Sequence, residues 1–197
     1  MKVLGILVSS ILFLNNCATF TSYPDGFNHS EYRRPAQTGS KTISVVYTQK
    51  SMIGGKEVQV NAHALEQMQA SFRTGLNDSG YFKSVGSGLD TTDLKLQVEA
   101  LNEGGGDLYQ VMGFISGLTL TILPAWAPDH FTLTYTFKDK NDKVKKQYIR
   151  KATFNTWIQL FLVFAMPFKS PKKEIDEGMK QMTYSVLEEA DRDGILK

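Results

Sequence analysis

The chain has 197 residues, of which 42% are hydrophobic and 21% are charged, and its formal net charge is +2. This length predicts one domain with a sizeable core. The near-neutral charge argues against nucleic acid as a partner, and the single cysteine excludes an internal disulfide.

The first residues have the layout of a secretory signal peptide. Lys2 is followed by an uncharged, mainly apolar run from Val3 to Phe13, and a basic start before about 7 to 15 apolar residues is typical of such peptides. The run is too short for a membrane-spanning helix, which needs about 20 apolar residues. Residues 1–16 are therefore predicted to be a signal peptide.

The four residues Leu14-Asn15-Asn16-Cys17 resemble the lipobox of bacterial lipoprotein signal sequences. The resemblance implies that Cys17 begins the mature chain and is the lipid attachment site, modified with palmitate. Ala18 follows in place of an aspartate, which in that family implies sorting to the outer membrane. The alternatives are an ordinary secreted protein with a free thiol, or an uncleaved anchor helix.

Residues 17–40 are polar and contain two prolines and two glycines, so we predict a lipidated cysteine followed by a flexible tether. The alternative is that Tyr23, Phe27 and Tyr32 pack on the domain. Residues 41–197 are predicted to form a single envelope domain.

Residues 41–100 predict a strand, a helix and a second strand. Residues 41–48 (KTISVVYT) are rich in β-branched side chains, and residues 93–100 alternate between apolar and polar. Between them, Asn61 is a predicted helix cap and Gly80 a helix end. The apolar helix face consists of Leu65, Met68, Phe72 and Leu76. This order resembles the small α/β periplasmic domains of several outer-membrane lipoproteins and of the amino-terminal domain of TolB.

The stretch from Leu108 to Pro128 has no charged residue. Alternation predicts strands at 117–123 and 131–138, joined by a proline-rich turn that contains Trp126. Gly113 and Gly117 form a GxxxG pattern, which packs helices in membranes, but the predicted strand argues against that role. The preceding glycines, 104–106, predict a loop, because no Lys-Ser/Thr follows them as in a phosphate loop.

Asn141-Asp142 predicts a hairpin turn, with residues 144–153 as the returning strand. The turn and return are basic and include Lys143, Lys145 and Lys146. One interpretation is a solvated edge protected from aggregation by lysines. The other is a contact with anionic lipid or phosphate groups.

A second uncharged stretch covers residues 152–168 and contains Trp157, Phe161 and Phe164. It suits either a buried core segment, which we favour, or an apolar stretch in a membrane interface. The last element is predicted to be a helix that begins at Ser170-Pro171 and ends before Gly194. Its apolar face consists of Ile175, Met179, Met182, Val186 and Ala190.

Catalytic and metal-binding patterns are missing from the sequence. The histidines at 29, 63 and 130 lack the spacing of a metal site, and no G-x-S-x-G motif is present. We therefore expect no catalytic residue, no metal and no cofactor.

Together these features predict an α+β protein: a single two-layer domain whose mainly antiparallel or mixed sheet carries two amphipathic helices. The expected function is that of a non-catalytic, lipid-anchored protein of the bacterial outer membrane that binds another envelope component. One alternative is a lipid-handling or membrane-interface accessory protein that uses 108–128 and 152–168. The residues predicted to contact the membrane or anionic groups together are Trp126, Lys143, Lys145, Lys146, Trp157, Phe161 and Phe164. Another is an enzyme with an unrecognised site.

Overall fold

The computed structural model describes residues 17–26, 32, 34–35, 39–87, 92–119, 122–159, 162 and 169–197, except for the side chains of Ala64 and Leu108. These residues form seven strands and three helices. In chain order the elements are β1 (Cys17–Ser22), β2 (Thr42–Ile53), β3 (Lys56–Val58), α1 (Ala62–Ser79), β4 (Ser84–Ser87), β5 (Leu94–Gly104), α2 (Asp107–Leu118), β6 (Ala125–Asp139), β7 (Val144–Ile158) and α3 (Pro171–Arg192).

The strands form one mixed sheet in the order β1-β7-β6-β5-β2-β3, with β4 paired to β2. β2 and β5 are parallel, which α1 makes possible because parallel neighbours need a long crossover connection. The pairs β5–β6, β6–β7 and β1–β7 are antiparallel. The predicted α+β domain with a mixed sheet is therefore confirmed.

The core lies between one face of this sheet and the helices α1 and α3. Phe72 of α1 stacks on Tyr47 of β2, with ring centroids 5.0 Å apart. Thr183 of α3 lies 3.1 Å from the buried hydroxyl of Tyr135 in β6, measured between the two oxygens. We call the other side of the sheet, which α1 and α3 leave uncovered, the open face.

The predicted ends of α1 and α3 are confirmed. The Asn61 side-chain oxygen accepts a hydrogen bond from the backbone N–H of His63 at 2.9 Å, which satisfies a free donor of the first turn of α1. Gly80 follows α1 with φ 76°, a conformation that favours glycine. Pro171 is the first residue of α3, and Gly194, also with φ 76°, follows its end.

The predicted flexible tether over 17–40 is wrong for its first part. Residues 17–22 form β1, which pairs with β7 from Cys17–Ile158 to Ser22–Thr153. Tyr23 and Tyr32 pack against the core, as the alternative prediction had it, whereas Phe27 lies outside the described residues. The sequence of β1, CATFTS, is half polar and has no apolar alternation, so the strand is not evident from the sequence, and in the fold it is held by pairing with β7.

The strand predicted at 117–123 is also wrong. Residues 107–118 form the helix α2, and the N–H of Thr119 continues its hydrogen-bond pattern to the carbonyl of Ile115 at 3.1 Å. Trp126, predicted to lie in a turn, is the second residue of β6. The predicted strand at 131–138 and the hairpin return at 144–153 are confirmed as parts of the longer strands β6 and β7.

Candidate functional site

Cys17 lies at one end of the sheet, as the first residue of β1. It is a free thiol of intermediate exposure and pairs with Ile158 of β7, which in turn pairs with Ala125 of β6. Since paired strands are about 4.7–4.9 Å apart, the backbones of Cys17 and Ala125 are separated by roughly 10 Å. We call this end of the sheet, with α2 and residues 122–126, the apolar end.

Helix α2 begins after a tight connection from β5. A Cβ atom on Gly105 would lie 2.0 Å from the Tyr109 ring, so only glycine allows the helix to fold back this closely. Asp107 stands in the first turn, where a carboxylate is stabilised by the helix dipole. The sequence of α2 therefore supports its start, although its apolar residues do not face the core.

The large apolar side chains of α2 point to solvent. Residues three and four apart share one helix face, and on this face Phe114 is 68% exposed and Leu118 is 70% exposed. Ile122 and Leu123, just beyond the helix, are 60% and 50% exposed. We call the whole surface the apolar stripe, which consists of Val111, Phe114, Ile115, Leu118, Ile122 and Leu123.

The face of α2 that contacts the rest of the protein is smaller and more polar. The Tyr109 ring meets the Trp126 ring edge to face, with centroids 5.5 Å apart. The buried Ser116 hydroxyl donates to the carbonyl of Leu123 at 2.7 Å. This is the reverse of an ordinary surface helix, whose apolar face packs on the core.

Full burial of one such exposed side chain would contribute about 1.5–3 kcal/mol. A contiguous group of large exposed apolar residues is uncommon on a protein that has no partner and marks a binding surface. The apolar stripe is therefore the strongest candidate site among the described residues.

Two tryptophans lie next to the stripe on the open face. Trp126 and Trp157 are directly paired between β6 and β7, and their rings stack with centroids 6.0 Å apart. The indole N–H of Trp126 donates to the Asn155 side chain at 3.1 Å. Trp157 also pairs with Ala18 of β1, so both predicted contact tryptophans lie at the apolar end, near Cys17.

The lysines predicted to share this surface lie elsewhere. Lys143 and Lys145 are exposed near the β6–β7 turn, at the opposite end of the strands. β6 runs from Ala125 to Asp139, a span of about 45 Å at 3.3 Å per residue. We call residues 138–146 the basic end. The structure therefore does not bring the predicted lysines and tryptophans together.

The basic end is partly neutralised by its own carboxylates. Lys146 forms a 2.7 Å ion pair with Asp193, whose carboxylate also accepts a hydrogen bond from the Tyr148 hydroxyl at 2.7 Å. These two donors lower the pKa of Asp193. Lys95 pairs with Asp142 in the turn itself, also at 2.7 Å.

Only part of the second uncharged stretch is described. Ala152 and Phe154 are buried in the core, whereas Trp157 is 38% exposed. Phe161 and Phe164 lie outside the described residues. The predicted burial is confirmed for the first residues of the stretch.

A cleft of about 420 Å³ opens beside α2 and contains Tyr109, Asn102 and Asp129 in its lining. Burial raises the pKa of Asp129, and the Asn102 side-chain oxygen is buried without a hydrogen-bond partner among the described residues. Both groups can accept hydrogen bonds. A second cleft, of about 560 Å³, separates α1 from α3 and includes the ion pair Lys172–Asp176.

No catalytic or metal-binding constellation stands out in the part of the chain that is described. No group of three or more His, Cys, Asp or Glu residues there could hold a metal ion. His63 bonds to Gln67 and His130 to Thr153, each at 2.9 Å, while His29 is outside the described residues. None of the helices described is long and apolar enough to span a membrane.

Comparison with known proteins identifies no family. Neither a protein-family profile nor a curated protein sequence matches the chain. Among solved structures, one similar chain is a PelC variant, a dodecamer from Paraburkholderia phytofirmans, at a TM-score of 0.32 and 10% identity. The match covers 82% of this chain and 95% of that chain.

Proposed function

We propose that this protein is a non-catalytic, lipid-anchored component of the bacterial outer membrane that works by binding another envelope component. Cys17 is the lipid attachment site, and residues 1–16 are removed as a signal peptide. The supporting observation is that Cys17 is at once the cysteine of the lipobox-like sequence and the first residue of β1. Its partial exposure leaves the thiol open to modification.

The position of Cys17 also suits an anchor physically. It lies at the apolar end, so that an attached lipid and the exposed side chains of the apolar stripe face the same surroundings. A single acyl chain holds a protein only weakly, whereas two or more hold it firmly. An anchor of the lipoprotein type would therefore keep the domain on the membrane without further help.

The experiment that tests the anchor is the substitution Cys17→Ser, with incorporation of labelled palmitate and the mass of the purified protein as readouts. We expect complete loss of label and retention of residues 1–16. Palmitate is the decisive readout, because an uncleaved apolar segment could itself hold the protein in a membrane.

The matched control is Thr21→Ser in the same strand, which keeps the hydroxyl that bonds to Glu174. This variant should incorporate palmitate as the natural chain does. Undiminished labelling of the Cys17→Ser protein would show that the lipid, if any, is attached elsewhere.

A further inference from the structure

We infer that the apolar stripe inserts into the membrane leaflet that carries the lipid on Cys17, so that the domain is held by two contacts rather than one. The inference deepens the proposed function and rests on it for the position of the anchor. It concerns a surface of α2 and residues 122–123, and its ligand is the acyl region of a phospholipid bilayer.

Cys17 and the apolar stripe lie at the same end of the sheet. Cys17, Ile158 and Ala125 are consecutive partners across β1, β7 and β6, and Leu123 precedes Ala125 by only two residues. An acyl chain on Cys17 brings the bilayer to this end of the sheet. The exposed side chains of the stripe then face the same lipid.

The types of residue change in a regular order along the strands. The stripe lies in the connection between the end of β5 and the start of β6, and the Trp126–Trp157 pair follows within the sheet, on the open face. On the same face of β6, Pro128 and His130 come next, then threonines at 132, 134 and 136, before the lysines of the basic end. The order expected across a membrane interface is similar: apolar side chains come first, then tryptophans, then polar and charged groups.

The segment that contains the stripe is uncharged. No charged residue occurs between Leu108 and Pro128, so insertion of the stripe desolvates no ionised group of its own segment. A protein-binding patch is usually surrounded by a polar rim, whereas the one charged residue of α2, Asp107, lies in its first turn, about two helical turns from Phe114, and residues 122–126 are uncharged. The surface therefore fits lipid better than a protein partner.

Helix α2 is too short to cross the bilayer. Its 12 residues give a length of about 18 Å at 1.5 Å per residue, against a hydrocarbon core of about 30 Å. The stripe also occupies only one of its faces. The geometry thus fits a helix that lies in the interface rather than one that spans it.

The test uses the full lipoprotein, reconstituted in vesicles of phosphatidylethanolamine and phosphatidylglycerol, with a nitroxide spin label at position 114 (Phe114→Cys). Acylation removes the thiol of Cys17, so the label attaches at one position. The matched control is Val144→Cys, an apolar residue that is 55% exposed at the basic end. Collisions of the label with oxygen, which is concentrated in lipid, are compared with collisions with a water-soluble nickel chelate.

We expect oxygen collisions to dominate at position 114 and nickel collisions to dominate at position 144. Nickel collisions dominating at both positions would overturn the insertion. So would a label at 114 that neither reagent reaches, which would show that a protein, such as a second copy of this chain, covers the stripe.

The mass of the labelled protein separates this result from the proposed lipidation, because an unmodified Cys17 leaves no acyl mass and takes up a second label. In that event residues 17–197 with Cys17→Ser and Phe114→Cys, free of the apolar segment 1–16, are added to the same vesicles. Oxygen-dominated collisions at 114 then support insertion without an anchor, and nickel-dominated collisions overturn it.

Discussion

The two ends of the sheet are built from opposite kinds of residue. At the apolar end, Asp107 is the one charged residue of α2 and its connection to β6, and Phe114 and Leu118 of the helix are more than two-thirds exposed. At the basic end, lysines are plentiful, but Lys146 is paired with Asp193, and Asp142 of the turn is paired with Lys95 of β5. The apolar end therefore exposes large apolar side chains, which a soluble domain ordinarily buries, whereas the basic end is an ordinary solvated surface.

Lysines and aromatic residues that are close in the sequence do not form one surface in this fold. Lys146 and Trp157 are 11 positions apart in the same strand, β7, which places them roughly 35 Å apart. A surface that combined both groups would have to run along the whole length of the strand. Contact through the apolar end alone is the simpler arrangement.

The largest expected effect comes from removing the apolar stripe. In residues 17–197 with Cys17→Ser, which lack the apolar segment of residues 1–16, the double substitution Phe114→Ser and Leu118→Ser should weaken binding to phospholipid vesicles by roughly 100-fold or more, since each large side chain contributes more than about 1.4 kcal/mol on burial. Vesicle flotation over a range of lipid concentrations measures this change.

The control for the stripe is the double substitution Val144→Ser and Ile149→Ser, which removes two side chains of 55% and 50% exposure toward the basic end. Binding should be unchanged, and the free energy of unfolding of both double variants should stay within about 0.5 kcal/mol of the parent. Equal loss of binding in both would contradict a distinction between the ends.

A smaller effect is expected from Trp126→Ala, which removes the stack on Trp157, the contact with Tyr109 and the bond to Asn155. Because Trp126 is only partly buried, we expect a loss of about 2 kcal/mol in the free energy of unfolding, below the cost of a fully buried tryptophan. Urea denaturation provides the measurement. A loss below about 0.5 kcal/mol would mean that α2 is held without this residue.

The smallest expected effects are pH-dependent changes in the free energy of unfolding. They should have opposite signs for substitutions near the apolar end and near the basic end. Burial raises the pKa of Asp129, so its ionised form destabilises the fold above the unfolded pKa of about 3.9. Asp129→Asn should therefore raise stability at neutral pH. Hydrogen bonds from Lys146 and Tyr148 lower the pKa of Asp193, so Asp193→Asn should lower stability at neutral pH.

Urea denaturation between pH 7 and low pH measures both differences. The stabilisation by Asp129→Asn should disappear as the pH falls below the unfolded pKa. The stabilisation that Asp193 gives to the natural chain should be lost as the pH falls through its lowered folded pKa. Shifts of the same sign in the two variants would contradict the described environments.

The sequence predicts the elements whose local pattern agrees with their final environment. α3 has a proline at its start, a glycine after its end and an apolar face that is buried, and β6 alternates between a buried and an uncovered face. α2 lacks this agreement, because its apolar residues face outward. The spacing of Val111, Phe114, Ile115 and Leu118 could have identified the helix, but the short alternation at 118–122 competed with it.

The residues at the apolar end could be predicted in part, but their proximity could not. Cys17, Trp126 and Trp157 stand out from the sequence by residue type alone. Their proximity depends on the strand order β1-β7-β6, which no local pattern encodes. β1 itself has no apolar alternation and pairs with β7, so its place beside the tryptophans is a property of the tertiary fold.

The start of β1 at Cys17 has a mechanical consequence. No coil separates the thiol from the sheet, so a lipid on Cys17 would pull directly on a strand. Tension along β1 would load its hydrogen bonds to β7 in shear, across six residue pairs at once, rather than opening them one after another. A domain held in this way would stand at a fixed height on its membrane, and β1 would resist being pulled out of the sheet.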